Sequence, residues 1–493
     1  MKKIAIIGAG LGGLSAAIRL SSNGFDVSVF EKNSYPGGKA SQIINSGFRF
    51  DAGPSLLTMP YVLNDLFEQS GERMEEHLDI KKLEIICKYF YNDGTIINAY
   101  SDLQKFGNEL ERNTLDNSTS LKKYFNYCAN IYDLTADLFL FKSPAQLSTF
   151  FSVKAFKTLL QLNKIDPFRT MHRAVSTFFK DKKTIQLFDR YATYNGSNPY
   201  QTPATLNIIP HVEYNLGSFI PAKGIYSITE SLYKLALKKG VKFYFNSQVD
   251  EIIYAGKNAN GIKVNNQLQK FDLIISNADV NQTFNKLLPS LKSKEKIKNN
   301  RLNPSTSGLV FYWGIDGKFN NLETHNILFS EDYKKEFDDI FVNKTIPADP
   351  TVYIYISSKL NKDDAPPEKE NWFVMINTPH IENQNWQVEI KLARERIIKK
   401  VNQFLNVDIE SKIICEQKLT PHDIQERTGS MHGSIYGISS NDKRAAFMRQ
   451  QNKSKSLNNL YFCGGSVHPG GGIPLVILSG KIVTDLIMKD FNI

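Results

Sequence analysis

Residues Lys2 to Lys39 read KKIAIIGAGLGGLSAAIRLSSNGFDVSVFEKNSYPGGK. Ile4 to Ile7 is a continuous apolar run, the pattern of a strand buried on both faces of a parallel sheet. Gly8, Gly10 and Gly13 follow at the spacing GxGxxG, with Gly12 between the last two. They open a segment whose Leu14, Ala17 and Ile18 share one helical face. A second apolar run, Val27 to Phe30, ends in Glu31, 18 residues beyond Gly13. Each part has a physical task. Gly8 permits the tight turn, Gly10 lets the backbone approach a pyrophosphate, and Gly13 lets helix and strand pack closely. The free N–H groups and positive dipole end of the helix attract phosphate, and Glu31 can accept hydrogen bonds from a ribose diol. Strand, glycines, helix and acid in one βαβ unit predict a dinucleotide-binding domain, where the glycines alone would not.

The unit does not by itself separate NAD from FAD. Gly37-Gly38-Lys39 favours FAD, because two glycines after the second strand allow another close backbone approach and Lys39 puts a cation within reach of phosphate. In these motifs the chain resembles the flavin-dependent amine oxidase and carotenoid desaturase superfamily, which carries ExxxxxGG followed by Arg or Lys. Gly47 to Leu56, GFRFDAGPSL, is similar to the GFxFDxGP turn of the carotenoid desaturases; the resemblance implies that Pro54, Ser55 and Leu56 lie beside a flavin. Val241 to Ile275 alternates as VKFYFN, VDEIIY, GIKVN and FDLIIS, short strands of a β-meander. By the same resemblance Val249 lies at the adenine and Asn277 near the cofactor.

Leu460 to Lys481, LYFCGGSVHPGGGIPLVILSGK, reads as a strand, a glycine-rich bend and a helix from Ile473-Pro474. Proline is favoured in a first helical turn, and the helix N-terminus is suited to negative charge on a reduced flavin. The run matches the HPGxGIP signature of the bacterial carotenoid desaturases, which implies that Gly465, Gly472, Ile473 and Pro474 surround the flavin. Gly471 and Leu475 stand where the phytoene desaturase form carries Ala and Gly. Together with FDRYATYNGSNPY (188–200) and IIPHVE (208–213), this form resembles the 1-hydroxycarotenoid 3,4-desaturase branch.

The expected fold is therefore α/β. An FAD-binding Rossmann-type domain of the amine oxidase and glutathione reductase kind is assembled from 1–70, 222–290 and 430–493. An inserted mixed α+β domain for substrate and membrane docking spans 71–221 and 291–429, and is mostly helical from about Tyr61 to Asn198. Length predicts two or three domain-sized masses. Lys292 to Asn300 reads as a charged surface stretch.

Net charge is +10, from 60 basic and 50 acidic residues. No nucleic-acid motif accompanies it, and an anionic membrane surface is the favoured partner over simple solubility. Between Asp137 and Asp166, Lys142, Lys154, Lys157 and Lys164 interleave with Phe139, Phe141, Phe150, Phe151, Phe156, Leu159 and Leu160, without an acid. This suits an interfacial helix and equally a core helix with a solvated basic face. No run of apolar residues is long enough to span a bilayer, and no leader peptide is read before the first strand. Cys87, Cys128, Cys415 and Cys463 lie far apart, which fits a reducing cytoplasm and argues against a metal site. The expected location is cytoplasmic, on the inner face of the cell membrane.

Among candidate catalytic groups, His468 in the glycine-rich bend either moves a proton or holds the loop. His211 and Glu213 serve as acid and base, as a hydroxyl anchor, or as a satisfied pair. Tyr194 is a candidate substrate contact. Cys463 reads as a small buried residue rather than a redox thiol. The chemistry implied is removal of hydride from an allylic carbon of a carotenoid, with the cation spread over the polyene and a neighbouring proton lost to a weak base or water. The flavin carries the hard step and the protein supplies position; oxygen or a quinone is the expected electron acceptor. The 3,4-desaturase is the favoured reading. A phytoene-type desaturase or carotenoid oxidase, and a flavin-free binding protein of the GDP-dissociation-inhibitor kind, are the alternatives.

Overall fold

A computed structural model describes residues 1–142, 162–442 and 449–492. The apolar runs IAII, VSVF and LIIS, with LYF near the C-terminus, are buried along nearly their whole length and form the centre of one parallel sheet. Its order is Lys242–Tyr244, Asp26–Phe30, Lys3–Ile7, Leu273–Ser276, Leu460–Phe462. Ile4 pairs with Val27 on one side and Leu273 on the other, all parallel. Strands from the two ends of the chain are thus neighbours of one segment from its middle.

The meander differs from its expected extent. Val249–Ala255, Asn258–Val264 and Gln267–Lys270 form a three-stranded antiparallel sheet. The first and last of the alternating runs, Lys242–Tyr244 and Leu273–Ser276, belong instead to the parallel sheet. Leu273–Ser276 is buried at every residue, so its continuous apolar character and not its alternation decides its place.

A seven-stranded sheet forms the second layer, in the order Ile413–Leu419, Ser307–Asp316, Lys369–Thr378, Val352–Tyr355, His325–Leu328, Ile85–Phe90, Ile96–Tyr100. Two of its strands come from within 61–198, the stretch expected to be mostly helical; helices dominate only from Leu103 onward. Strand period two divides its residues between faces. Leu309, Phe311, Trp313, Trp372, Val374 and Ile354 pack with Ala393, Ile397 and Val401 of the helix Trp386–Leu405. Val310, Tyr353, Phe373, Met375, His325 and Ile327 take the opposite face and line a cavity. Lys292 to Asn300 is less exposed than expected: Glu295 and Asn299 are buried in the helix Lys294–Asn300, and Glu295 accepts hydrogen bonds from Ser454 and Ser456.

The glycine helix Leu11–Ser22 packs on the C-terminal helix Ile473–Phe491 along their length. Their contact is closest at Gly480, where an added Cβ would lie 2.7 Å from Ser15 Cβ and 2.8 Å from the Ala16 nitrogen. Alanine in a helix interior ordinarily gains about 1 kcal/mol over glycine. Here overpacking costs about 1–3 kcal/mol and outweighs it. Gly480→Ala is expected to lower the midpoint of chemical unfolding followed by far-UV circular dichroism; an unchanged or raised midpoint would show that the helix pair has slack.

Candidate active site

The cavity measures about 760 Å³ and runs from the glycine turn to the inner face of the seven-stranded sheet. Gly8, Gly10, Gly12, Glu31, Gly38, Lys39, Pro54, Ser55, Leu56, Val249, Asn277, Gly465, Gly472, Ile473 and Pro474 all line it. Segments more than 400 residues apart in sequence therefore meet around one space. Gly13 does not line it. A Cβ on Gly13 would sit 2.3 Å from the Gly8 carbonyl oxygen, so this glycine serves helix–strand packing, as its spacing predicts.

The groups at the narrow end suit a dinucleotide. The glycine helix begins at Gly10 with no side-chain cap, and its first intrahelical bond is from the Leu14 nitrogen to the Gly10 carbonyl at 2.9 Å. The earlier N–H groups are left for an anion. The C-terminal helix begins at Gly472, also without a side-chain cap, and opens on the same cavity. A Cβ on Gly472 would meet nothing within 4 Å, which leaves room against this helix end. The Glu31 carboxylate, almost fully buried, accepts from the Ala9 nitrogen at 2.8 Å and from the Asn33 backbone and side-chain nitrogens at 2.9 and 2.8 Å. It braces the glycine turn and keeps acceptor capacity for a diol. Asn277 Nδ2 donates to the Gly8 carbonyl at 3.2 Å, a second brace across the turn.

Two of the cations in the walls bond backbone carbonyls. Lys39 donates to the carbonyls of Ser434 and Ile435 at 3.2 and 2.5 Å, and burial lowers its pKa to about 8 against the pull of Asp279. These two bonds leave one ammonium donor on the cavity that Lys39 lines. Arg449, absent from the sequence reading, is buried beside the glycine-rich bend. Its described hydrogen bonds go to the carbonyls of Tyr436, Ile438 and Gly465, and burial lowers its pKa to about 10. Its only sequence signal was a basic residue in a polar run before the last strand.

A match to the flavin containing amine oxidoreductase family spans residues 11–488. The chain belongs to this family. It is an FAD-dependent oxidoreductase, and the glycine turn, the two uncapped helix ends and Glu31 are the groups that fit that cofactor. Over 488 residues, 99% of each chain, it is 44% identical to 1-hydroxycarotenoid 3,4-desaturase of Flavobacterium sp. (strain P99-3). It is 35% identical, over 99% of its length and 97% of the relative's, to 4,4'-diaponeurosporene oxygenase of Staphylococcus haemolyticus (strain JCSC1435). An oxidoreductase from Methanosarcina mazei shares the fold, with a TM-score of 0.67 at 16% identity, covering 98% of this chain and 100% of that one.

The candidate proton-transfer groups of this flavoprotein separate. His468 lines the cavity; its Nε2 donates to the Lys142 carbonyl at 2.9 Å, and burial lowers its pKa to about 4, so the ring is neutral. His211 and Glu213 do not form a pair. They stand two apart on a helical turn, a spacing that points side chains in different directions. His211 bonds Asn215 at 2.8 Å and its ring lies tilted against Tyr132, outside the cavity lining. Glu213 faces the cavity with Arg190 at 3.1 Å, the Tyr191 hydroxyl at 2.7 Å and the Tyr194 hydroxyl as partners. Cys463 is fully buried, and burial pushes its thiol pKa up, which disfavours the reactive thiolate. Among the described residues Glu72, Glu76 and His77 bring three ligand atoms together, but outside this cavity, with Glu72 paired to Lys238 at 2.7 Å.

Glu31→Ala is expected to weaken FAD by about 1–3 kcal/mol, through loss of a charged acceptor and of its hold on Ala9 and Asn33. Flavin retained after dilution and gel filtration measures it; full retention would place the ribose elsewhere.

Proposed function

We propose that this chain is an FAD-dependent desaturase that introduces the C-3,4 double bond into the acyclic end of a 1-hydroxycarotenoid. The observation that carries the reading is the continuity of one cavity from the dinucleotide cradle to an apolar wall of Val310, Ile327, Phe373 and Met375. A polyene end group needs such a wall, and the similarity to the Flavobacterium enzyme spans the whole chain. In this reading Gly8, Gly10 and Gly12 receive the pyrophosphate, Glu31 the ribose and Val249 the adenine. Pro54 to Leu56, Asn277, Gly465 and Gly472 to Pro474 surround the flavin ring. The segments 1–70, 222–290 and 430–493 form the cofactor domain, and 71–221 with 291–429 the substrate domain.

FAD, when bound, supplies the acceptor for the hydrogen removed as hydride. The chain's own groups orient the substrate and exclude water. The uncapped start of the Ile473–Phe491 helix favours negative charge at that end of the cavity. His468, neutral and a weak base, lines the cavity and in this reading takes the proton that follows. The electrons leave to oxygen or a quinone. A glycine cradle open to ligand and membership of a flavin family favour this enzyme over a flavin-free binding protein.

A substrate this apolar arrives from a bilayer. Leu140, Ile165 and Pro167, which flank the basic aromatic stretch, line the cavity, and Phe168 is 76% exposed. This supports entry at that edge from the inner face of a membrane. Phe150, Phe151, Lys154, Phe156 and Lys157 lie outside the described residues. Among the described residues no helix is long and apolar enough to cross a membrane. Replacing Lys142, Lys154 and Lys157 by Glu is expected to reduce cosedimentation with anionic liposomes, each lysine contributing about 1 kcal/mol near such a surface. Binding equal to the wild type would return the stretch to ordinary surface.

The substrate assignment rests on its one polar handle. A site built to bond a hydroxyl rejects the analogue without it, because its own polar group is then left unpaired. The 1-hydroxy acyclic carotenoid is therefore expected to be desaturated at least about tenfold faster than its dehydroxy counterpart in the same membranes. Equal rates, or preferred conversion of phytoene, would refute the 3,4-desaturase reading and leave the family assignment standing.

A further inference from the structure

The polar group around Glu213 is centred on its own carboxylate. Its carboxylate accepts from Arg190, Tyr191 and Tyr194, so the two phenolic hydrogens are already spent. A second polar chain on the same cavity is open at one end. His325 and Tyr353 both project from the inner face of the seven-stranded sheet, where His325 pairs with Tyr355 and Ile327 with Tyr353. His325 Nδ1 lies 2.7 Å from the Tyr353 hydroxyl, which lies 2.6 Å from Ser55 Oγ. All three residues line the cavity.

The direction of this chain follows from its buried end. His325 is 3% exposed and its Nε2 has no partner. Burial, with Arg190 adding to it, lowers its pKa to about 3, so the ring carries one proton. An orphaned buried N–H is rarer and costlier than an unfilled acceptor, which places that proton on Nδ1. Nδ1–H then donates to Tyr353, and Tyr353 O–H donates to Ser55 Oγ. Among the described residues Ser55 Oγ makes no other side-chain hydrogen bond, so its hydrogen is left for the cavity that Ser55 lines.

This argument rests on the desaturase reading above. In a 1-hydroxycarotenoid only C-2 separates the hydroxyl-bearing carbon from the C-3,4 bond, so the hydroxyl must be held close to the redox centre. Ser55 sits between Pro54 and Leu56 in a cavity wall shared with Gly472 and Pro474. We propose that Ser55 Oγ donates the hydrogen bond that receives the substrate's hydroxyl oxygen, with Tyr353 and His325 as positioning residues that orient the donor. The Glu213 cluster then serves as a sealed part of the wall.

The test compares kcat/KM for a 1-hydroxy acyclic carotenoid and for its dehydroxy counterpart in liposomes of one composition. Wild type, Ser55→Ala, Ser55→Thr and Tyr353→Phe are assayed as flavin-loaded proteins, with the flavin spectrum and occupancy recorded for each. Ser55→Ala is expected to cut the ratio of the two values by about tenfold or more. Ser55→Thr keeps the ratio and Tyr353→Phe gives an intermediate loss, each value being normalised to the flavin occupancy of its variant. A wild-type ratio retained in Ser55→Ala overturns this inference alone. A changed flavin spectrum or occupancy with the ratio intact assigns Ser55 to the cofactor and also overturns it. A wild-type ratio of one refutes the desaturase reading and this inference with it. If Ser55→Ala does not fold, Tyr353→Phe decides, and an unchanged ratio there overturns the donor chain.

Discussion

The structure depends on a contact that no side chain can enter. At the start of the glycine helix, a Cβ on Gly12 would lie 2.8 Å from Asn277 Oδ1 and 3.0 Å from the Gly464 Cα, and one on Gly13 would strike the Gly8 carbonyl. Segments from the beginning, middle and end of the chain therefore meet here, the glycine backbones of the first and last against the Asn277 side chain of the middle one. Only that proximity lets the Leu11 and Ile473 helix ends open on the same space. Glu31 and Asn277 secure the arrangement by bonding the turn from either side.

From this fixed end the cavity is shaped by the alternation of a sheet. The strands Ser307–Asp316, Lys369–Thr378 and Val352–Tyr355 turn alternate side chains to the helix behind them and to the cavity. Because the pairing register is continuous from Val310 through Met375 to Tyr353, one wall is apolar along much of its length. Polar groups interrupt it at His325, Tyr353 and Ser55, and at Arg190 and Glu213. In the first set a hydroxyl hydrogen is left over at Ser55; in the second the phenolic hydrogens of Tyr191 and Tyr194 are spent on Glu213. That contrast, more than the number of polar residues, separates a place that can receive a hydroxyl from one that only seals the wall.

Much of the cofactor end was legible because its signals are local. GxGxxG after an apolar strand, an acid at the end of the next strand and Pro474 at a helix start are each read within a few residues. The lining of the cavity includes every cofactor candidate but Gly13, whose packing role the spacing itself had indicated. Local reading failed where an outcome depended on phase or on distant pairing. His211 and Glu213 looked like partners two residues apart, and the helical turn they occupy sends them apart. Residues 85–100 looked like the edge of a helical region, and their strands are completed only by His325–Leu328.

The sequence alone determined the βαβ unit, the glycine-rich bend, the helix that follows it and hence the FAD-binding class, since those depend on backbone conformation and on apolar runs a few residues long. Tertiary structure decided which polar residues share the cavity. His325, Tyr353 and Arg449 are unremarkable in the chain, and they come to share a site with Ser55 through sheet register and the meeting of distant loops. The reason is physical: a hydrogen bond between residues 298 apart, such as Ser55 to Tyr353, is set by the packing of whole layers and leaves no trace in the residues on either side of it.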